Sequence, residues 1–173
     1  MTAINVQTTD VVNAILGIDE DSPIARLRNQ KSDLVRELQD YYVSIFDPVA
    51  ASAKALPLLD RYLVAIRVAS HTGSAAVAGW YGRLAIDAGA SRDALDQAQN
   101  IGTPETGETS LGAALRHADL LTTRPADARQ DDLRALKDAG FSPAGIVSLS
   151  QTIAFVSYQL RLIAGLRAFG GRS

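Results

Sequence analysis

The chain has 173 residues, a formal net charge of −2 and no cysteine. A chain of this length can bury about two-thirds of its unfolded surface in one domain, so it needs no disulfide or metal staple. The missing thiols exclude a disulfide framework, thiol catalysis and any cysteine-ligated metal site.

Charges of both signs are interspersed, so no basic block offers a footprint for nucleic acid or an anionic membrane. The first residues lack the positive start and apolar core of a signal peptide. No apolar run reaches the ~18 residues of a spanning helix. The expectation is a cytoplasmic protein without nucleic-acid or membrane partners. Ala, Leu, Arg, Asp and Gln are abundant while strand-forming aromatics are sparse, which favours helix.

A short helix is predicted over Asp10–Gly17, with Val11, Val12, Ile15 and Leu16 apolar. Ser22-Pro23 is a start signal, Ser as cap and Pro at the first helical position. The helical region that follows runs to about Phe46, with Leu34, Leu38, Tyr41, Tyr42 and Ile45 near one face. Asp47-Pro48 ends it, and residues 50–55 form a connector. Pro57 opens a central helix in which Leu59, Tyr62, Leu63, Ile66 and Ala69 make a buried stripe. Thr72-Gly73 interrupts it, and Ser74 can cap a second helix reaching Ala88. Gly89 suits the left-handed position after a helix end, and Ser91 caps the next short helix.

Residues 100–108 (NIGTPETGE) read as loop, followed by a helix over Ser110–Leu121 and a break at Thr122–Asp127. Asp131–Ala139 is helical, and Ser142-Pro143 starts the longest helix, through about Phe169. The run Asp87-Ala88-Gly89-Ala90-Ser91 recurs as Asp138-Ala139-Gly140-Phe141-Ser142, a repeated helix-stop-cap turn. In the final helix Ile146, Leu149, Ile153, Val156, Leu160 and Ile163 alternate spacings of three and four. This seam reads as core, and the adjacent Val147, Phe155 and Leu162 as candidates to meet another subunit.

The stretch Ser70-His-Thr-Gly-Ser74-Ala-Ala-Val77-Ala-Gly-Trp80-Tyr81 follows a helix carrying Asp60-Arg61-Tyr62. This order and spacing resemble the alkylhydroperoxidase D (AhpD) / carboxymuconolactone decarboxylase (CMD) family, in which a helix turns through Gly into Cys-x-x-Cys-x-x-x-His. The matching positions here are Ser74, Val77 and Tyr81. The family's Glu, twelve residues before the first cysteine, falls on Tyr62. The resemblance extends over about residues 23–169, with its core at 57–91; residues 1–22 read as an N-terminal helical extension. It implies an all-α, AhpD-like orthogonal helical bundle that assembles as a homo-oligomer, a trimer or hexamer.

The family's dithiol chemistry cannot operate with Ser and Val in place of the cysteines. The decarboxylase branch pairs an Arg and a Glu with a His; here Arg61 is present, Tyr62 replaces the Glu and Tyr81 the His. The resemblance implies that Tyr62, Ser74, Val77 and Tyr81 surround one pocket, with Arg61 and Trp80 beside it. Such a pocket can bind an aromatic or acyl ligand, and equally the aromatics can fill it.

His71 and Ser74 are three residues apart, but Gly73 breaks the helix between them, and a Ser-His pair needs an orienting acid. Asp60 is too distant along a straight helix, so the plainer reading is a capping Ser74 and a polar His71 at a helix end. His117 reads as a solvated helix residue, and two histidines so far apart, without a Glu/Asp cluster at ligand spacing, give little support for a metal site. Three readings stay open. One is a non-thiol enzyme using Tyr62, His71, Ser74 and Tyr81 on a small organic substrate of peroxide or aromatic metabolism. The others are a binder of a small organic ligand and a structural subunit of a homo- or hetero-oligomer. No cofactor is expected.

Overall fold

The computed structural model of the protein describes residues 10–47, 54–102 and 109–169. Among them helix accounts for 78% of positions and no strand occurs, so the fold is all-α. Pro48 and most of the predicted connector and 100–108 loop lie outside the described residues. In chain order the helices are α1 (Val11–Leu16), α2 (Pro23–Asn29), α3 (Ser32–Phe46), α4 (Leu58–His71) and α5 (Ala75–Asp87). There follow α6 (Arg92–Gln99), α7 (Ser110–Thr123), a 3₁₀ turn (Pro125–Asp127), α8 (Gln130–Asp138) and α9 (Pro143–Phe169).

The architecture is organised around α4. Its residues Arg61–Ala69 are all buried, which marks a helix surrounded by others, more enclosed than the predicted stripe. α5, α9, α7 and α6 pack against it. The chain reaches α5 by a left-handed Gly73 (φ 67°), where an L side chain would be strained. There the Gly73 N–H donates to Ser70 O and the Ser74 N–H to Ala69 O, the pairing that satisfies the last carbonyls of a helix. The repeated turn behaves as its sequence predicts. Ala90 N–H donates to Ala85 O, and Phe141 N–H donates to Leu136 O.

The predicted helical region of 23–46 is divided into α2 and α3 by a break at Gln30–Lys31. Each piece is held separately. Arg28 pairs with Asp10 at 2.8 Å, and Gln39 Oε1 accepts the Val11 N–H at 3.0 Å. α1 thereby lays Val11, Val12 and Ile15 into the common core, against α5 and α9. On α3, Leu38, Tyr42, Ile45 and Phe46 turn inward, while Leu34 and Tyr41 face outward, so the buried face is narrower than predicted.

α9 carries the predicted seam as core: Leu149, Ile153, Val156, Leu160 and Ile163 are buried. Phe155, expected on the flank, is also fully buried, with the rings of Tyr41, Tyr42 and Phe46 packed on it at 5.0, 6.1 and 6.1 Å. Val147 is exposed. Among the described residues α9 is the one helix long and apolar enough to cross a membrane by length and composition, although no uninterrupted apolar run is that long. Its 18-residue window is 44% buried within the fold.

Phe46 sits where α3 meets α4, α5 and α9, with ring centroids 4.8 Å from Tyr81, 5.6 Å from Tyr62 and 6.1 Å from Phe155. Phe46→Ala is expected to cost about 3–5 kcal/mol in denaturant unfolding. Leu34→Ala, on the outward face of the same helix, should stay within about 0.5 kcal/mol.

Candidate functional site

α4 and α5 bring the motif positions together in two different environments. Tyr62, Val77 and Tyr81 belong to the core, where Phe46 stacks on Tyr62 (interplanar angle 6°) and also meets Tyr81. The phenols lie 6.5 Å apart between centroids, with Phe46 against both. Tyr81 is completely buried and donates its hydroxyl to Gln159 Oε1 at 2.9 Å. Trp80 donates its indole N–H to the Tyr42 hydroxyl at 3.2 Å, and the Arg83 guanidinium lies 5.8 Å over its ring.

Burial, reinforced by the nearby Asp47 charge, pushes the Tyr62 phenol up to about 12. Burial also raises Tyr81 well above the ordinary phenol range, with neighbouring Tyr42 adding to the shift. Both phenols are therefore neutral at physiological pH, able to donate a hydrogen bond and unable to act as resting bases. Arg61 is buried too. Its Nε donates to Leu56 O at 2.9 Å and its Nη1 to Ile45 O at 2.5 Å, tying the end of α3 to the start of α4.

Ser74 stands at the N-cap of α5, as its sequence position predicts, yet its side chain makes no capping bond. Ser22, Ser91 and Thr109 at the starts of α2, α6 and α7 all accept an amide in the usual way. The Ser74 Oγ is buried without a hydrogen-bond partner, so no Ser74–His71 pair forms. The Thr122 Oγ1 is in the same condition. Elsewhere on α7 and α9, Thr123 and Thr152 bond a carbonyl one turn earlier.

Ser74 and Thr122 line one cleft, together with the polar residues Thr72, Ser157, Arg161 and Arg167. Leu160, Ile163 and Ala164 are its apolar lining residues, and its volume is about 470 Å³, within the range of small-ligand sites.

Beside this cleft, His71 has an acid partner that its own helix could not supply. His71 Nε2 lies 2.6 Å from Asp119 Oδ1 of α7. The same carboxylate accepts Arg67 in a forked pair, Nε to Oδ1 at 2.6 Å and Nη2 to Oδ2 at 2.9 Å. Arg67 Nη1 is further satisfied by the carbonyls of Gln97, at 2.9 Å, and Asn100. The imidazole is thus oriented by a carboxylate, the arrangement that fixes which nitrogen carries the proton. Asp119 lies 48 residues from His71, beyond the reach of local spacing.

His117 departs from its predicted solvated state. It is 5% exposed, neither ring nitrogen has a hydrogen-bond partner, and it lines a second cleft, about 380 Å³, between α7 and α8. Burial lowers its pKa from 6.5, with Asp132 on α8 acting in the opposite sense. Arg116, Asp119 and Arg124 also line that cleft. Among the described residues no group of three or more His, Cys, Asp or Glu side chains could hold a metal ion.

The lowered pKa has a definite sign. The unfolded chain binds the proton more tightly than the folded one, so stability from neutral His117 is complete above about pH 6.5 and is lost as pH falls through the lower folded value. His117→Leu should shrink the loss of Tm between about pH 7.5 and about pH 5; an unchanged loss assigns it to other groups. No protein-family model matches the sequence, and no curated protein matches it significantly.

Proposed function

We propose that this chain is an AhpD/CMD-like helical domain that has given up thiol peroxidase chemistry and binds a small organic ligand in the cleft at the start of α5. The observation that carries this reading is the pair of partnerless hydroxyls, Ser74 Oγ and Thr122 Oγ1, on the lining of a cleft of about 470 Å³. A buried hydroxyl without a partner costs about 1–3 kcal/mol, and a ligand atom supplies the missing bond. The orthogonal arrangement, a homo-oligomer of three or six subunits and a cytoplasmic setting belong to the same reading through the motif order at 57–91.

Where the bound molecule is also transformed, the reaction is a non-thiol one. His71, held by Asp119, is the side chain near the cleft suited to move a proton. Tyr62 and Tyr81 are neutral donors inside the core, remote in character from the family's proton carriers. A second reading, a structural subunit that assembles with itself or with an active paralogue, draws on the filled aromatic cluster. Exposed Val147, Tyr158 and Phe169 along α9 favour it as well.

Thr122→Val keeps the shape of the side chain and removes one partnerless hydroxyl, so it should raise stability by about 1 kcal/mol while weakening ligand binding. Binding is measured by the shifts of the Ser74 and Thr122 amide resonances on addition of small aromatic and aliphatic compounds. Loss of stability in Thr122→Val, or a ligand set that moves neither resonance, would overturn the binding-site reading. Dithiol-dependent turnover of a hydroperoxide by the purified chain should be absent, and robust turnover would remove the premise.

A further inference from the structure

The cleft at Ser74 has an uneven charge. Two arginines, Arg161 and Arg167, line it and no Asp or Glu does, although the whole chain carries a net charge of −2. Arg161 makes a 3.4 Å contact with the Ser157 carbonyl of its own helix, and neither guanidinium forms an ion pair among the described residues. Several arginines elsewhere pair with acids, Arg28 with Asp10, Arg36 with Asp33, Arg67 with Asp119 and Arg134 with Asp131. Two cations without an ion pair, six residues apart on one helix, therefore line the same cleft as the hydroxyls of Ser74 and Thr122, with no acid on that lining.

The same helix also lines the cleft with Leu160, Ile163 and Ala164, which present hydrocarbon to the same volume. A cleft that combines fork-shaped cation donors, aliphatic side chains and hydroxyls, with no acid on its lining, suits a ligand that is both charged and apolar. From this juxtaposition we infer that the cleft takes an oxyanion head group, carboxylate or phosphate, carried on an apolar body. The inference rests on the reading of the cleft as a ligand site and specifies the chemistry of what enters it.

The head group accepts from the exposed Arg161 and Arg167, and Ser74 and Thr122, whose hydroxyls lack a partner, line the same cleft. The uncapped first turn of α5 adds a favourable field for negative charge at the same place. The apolar body covers Leu160 and Ile163. A neutral amide of the same shape keeps the hydrocarbon contact and loses the charge-assisted bonds.

The probes are benzoate, phenyl phosphate and benzamide, titrated into the full chain at low and at raised salt, with amide shifts of Ser74, Thr122 and Arg161 as readout. Benzoate or phenyl phosphate should bind at least about tenfold tighter than benzamide, and the double variant R161Q/R167Q should erase that advantage. Both positions are exposed on α9, so the variant should keep the wild-type Tm. Added salt should weaken the acids and leave the amide unaffected. Preference for one acid over the other identifies the head group.

Equal binding of benzamide and the acids, or an undiminished preference in R161Q/R167Q, would overturn the oxyanion inference and leave the ligand site standing. Failure of all three probes to shift the cleft resonances would sink both.

Discussion

The guanidinium of Arg67 is the constraint around which this fold is arranged. It lies 1% exposed on α4, in a run of apolar side chains, where an unpaired charge would cost several kcal/mol. The forked bond to Asp119 and the two carbonyls near the end of α6 satisfy it. Those partners come from α6, its following residue and α7, so the three segments are joined at one charged point. The consequence reaches the cleft. Asp119 fixes the position of α7, and Thr122, one turn further on, is set on the same side of that helix. His71 is held by the carboxylate that Arg67 had already brought in.

The interior beneath the motif is occupied in a different way. Phe46, Tyr62 and Tyr81 form tilted and stacked ring contacts, a geometry that contributes beyond simple burial of area. Gln159 and Tyr42 take up the hydroxyl and indole donors, so the aromatic cluster is a packed unit with few loose polar ends. The exception is Gln159 Nε2, which has no partner. A region of this kind resists ligands, and the two clefts have other linings, one at the start of α5 and one between α7 and α8.

Local punctuation was the most legible part of the sequence. Ser22, Ser91 and Gly89 act as cap, cap and stop because each works through its own backbone neighbours. Helical periodicity placed the seam of α9 and the interior of α4. The burial of Phe155 is not legible in its own helix, since rings carried by α3 decide whether it is covered. The division of α2 from α3 depends on Asp10 and Val11, whose pairing with Arg28 and Gln39 spans 18 and 28 residues. The partner of His71 and the burial of His117 are set by helix packing, and no spacing rule could have found them. The uncapped state of Ser74 is equally hidden, because the residue type at an N-cap sets the capacity for a bond and the surrounding packing decides whether it forms.

The chain contains a single tryptophan, and Trp80 is 5% exposed with its indole N–H bonded to Tyr42. Its fluorescence is consequently a monochrome report on one seam of the molecule, the contact of α3 with α5. An indole sheltered from water emits to the blue of a hydrated one, so separation of that seam shifts the emission red. Events confined to the arginine-lined cleft leave α3 in place and pass without a colour change. The protein thus distinguishes optically between loosening of its interior and occupation of its surface.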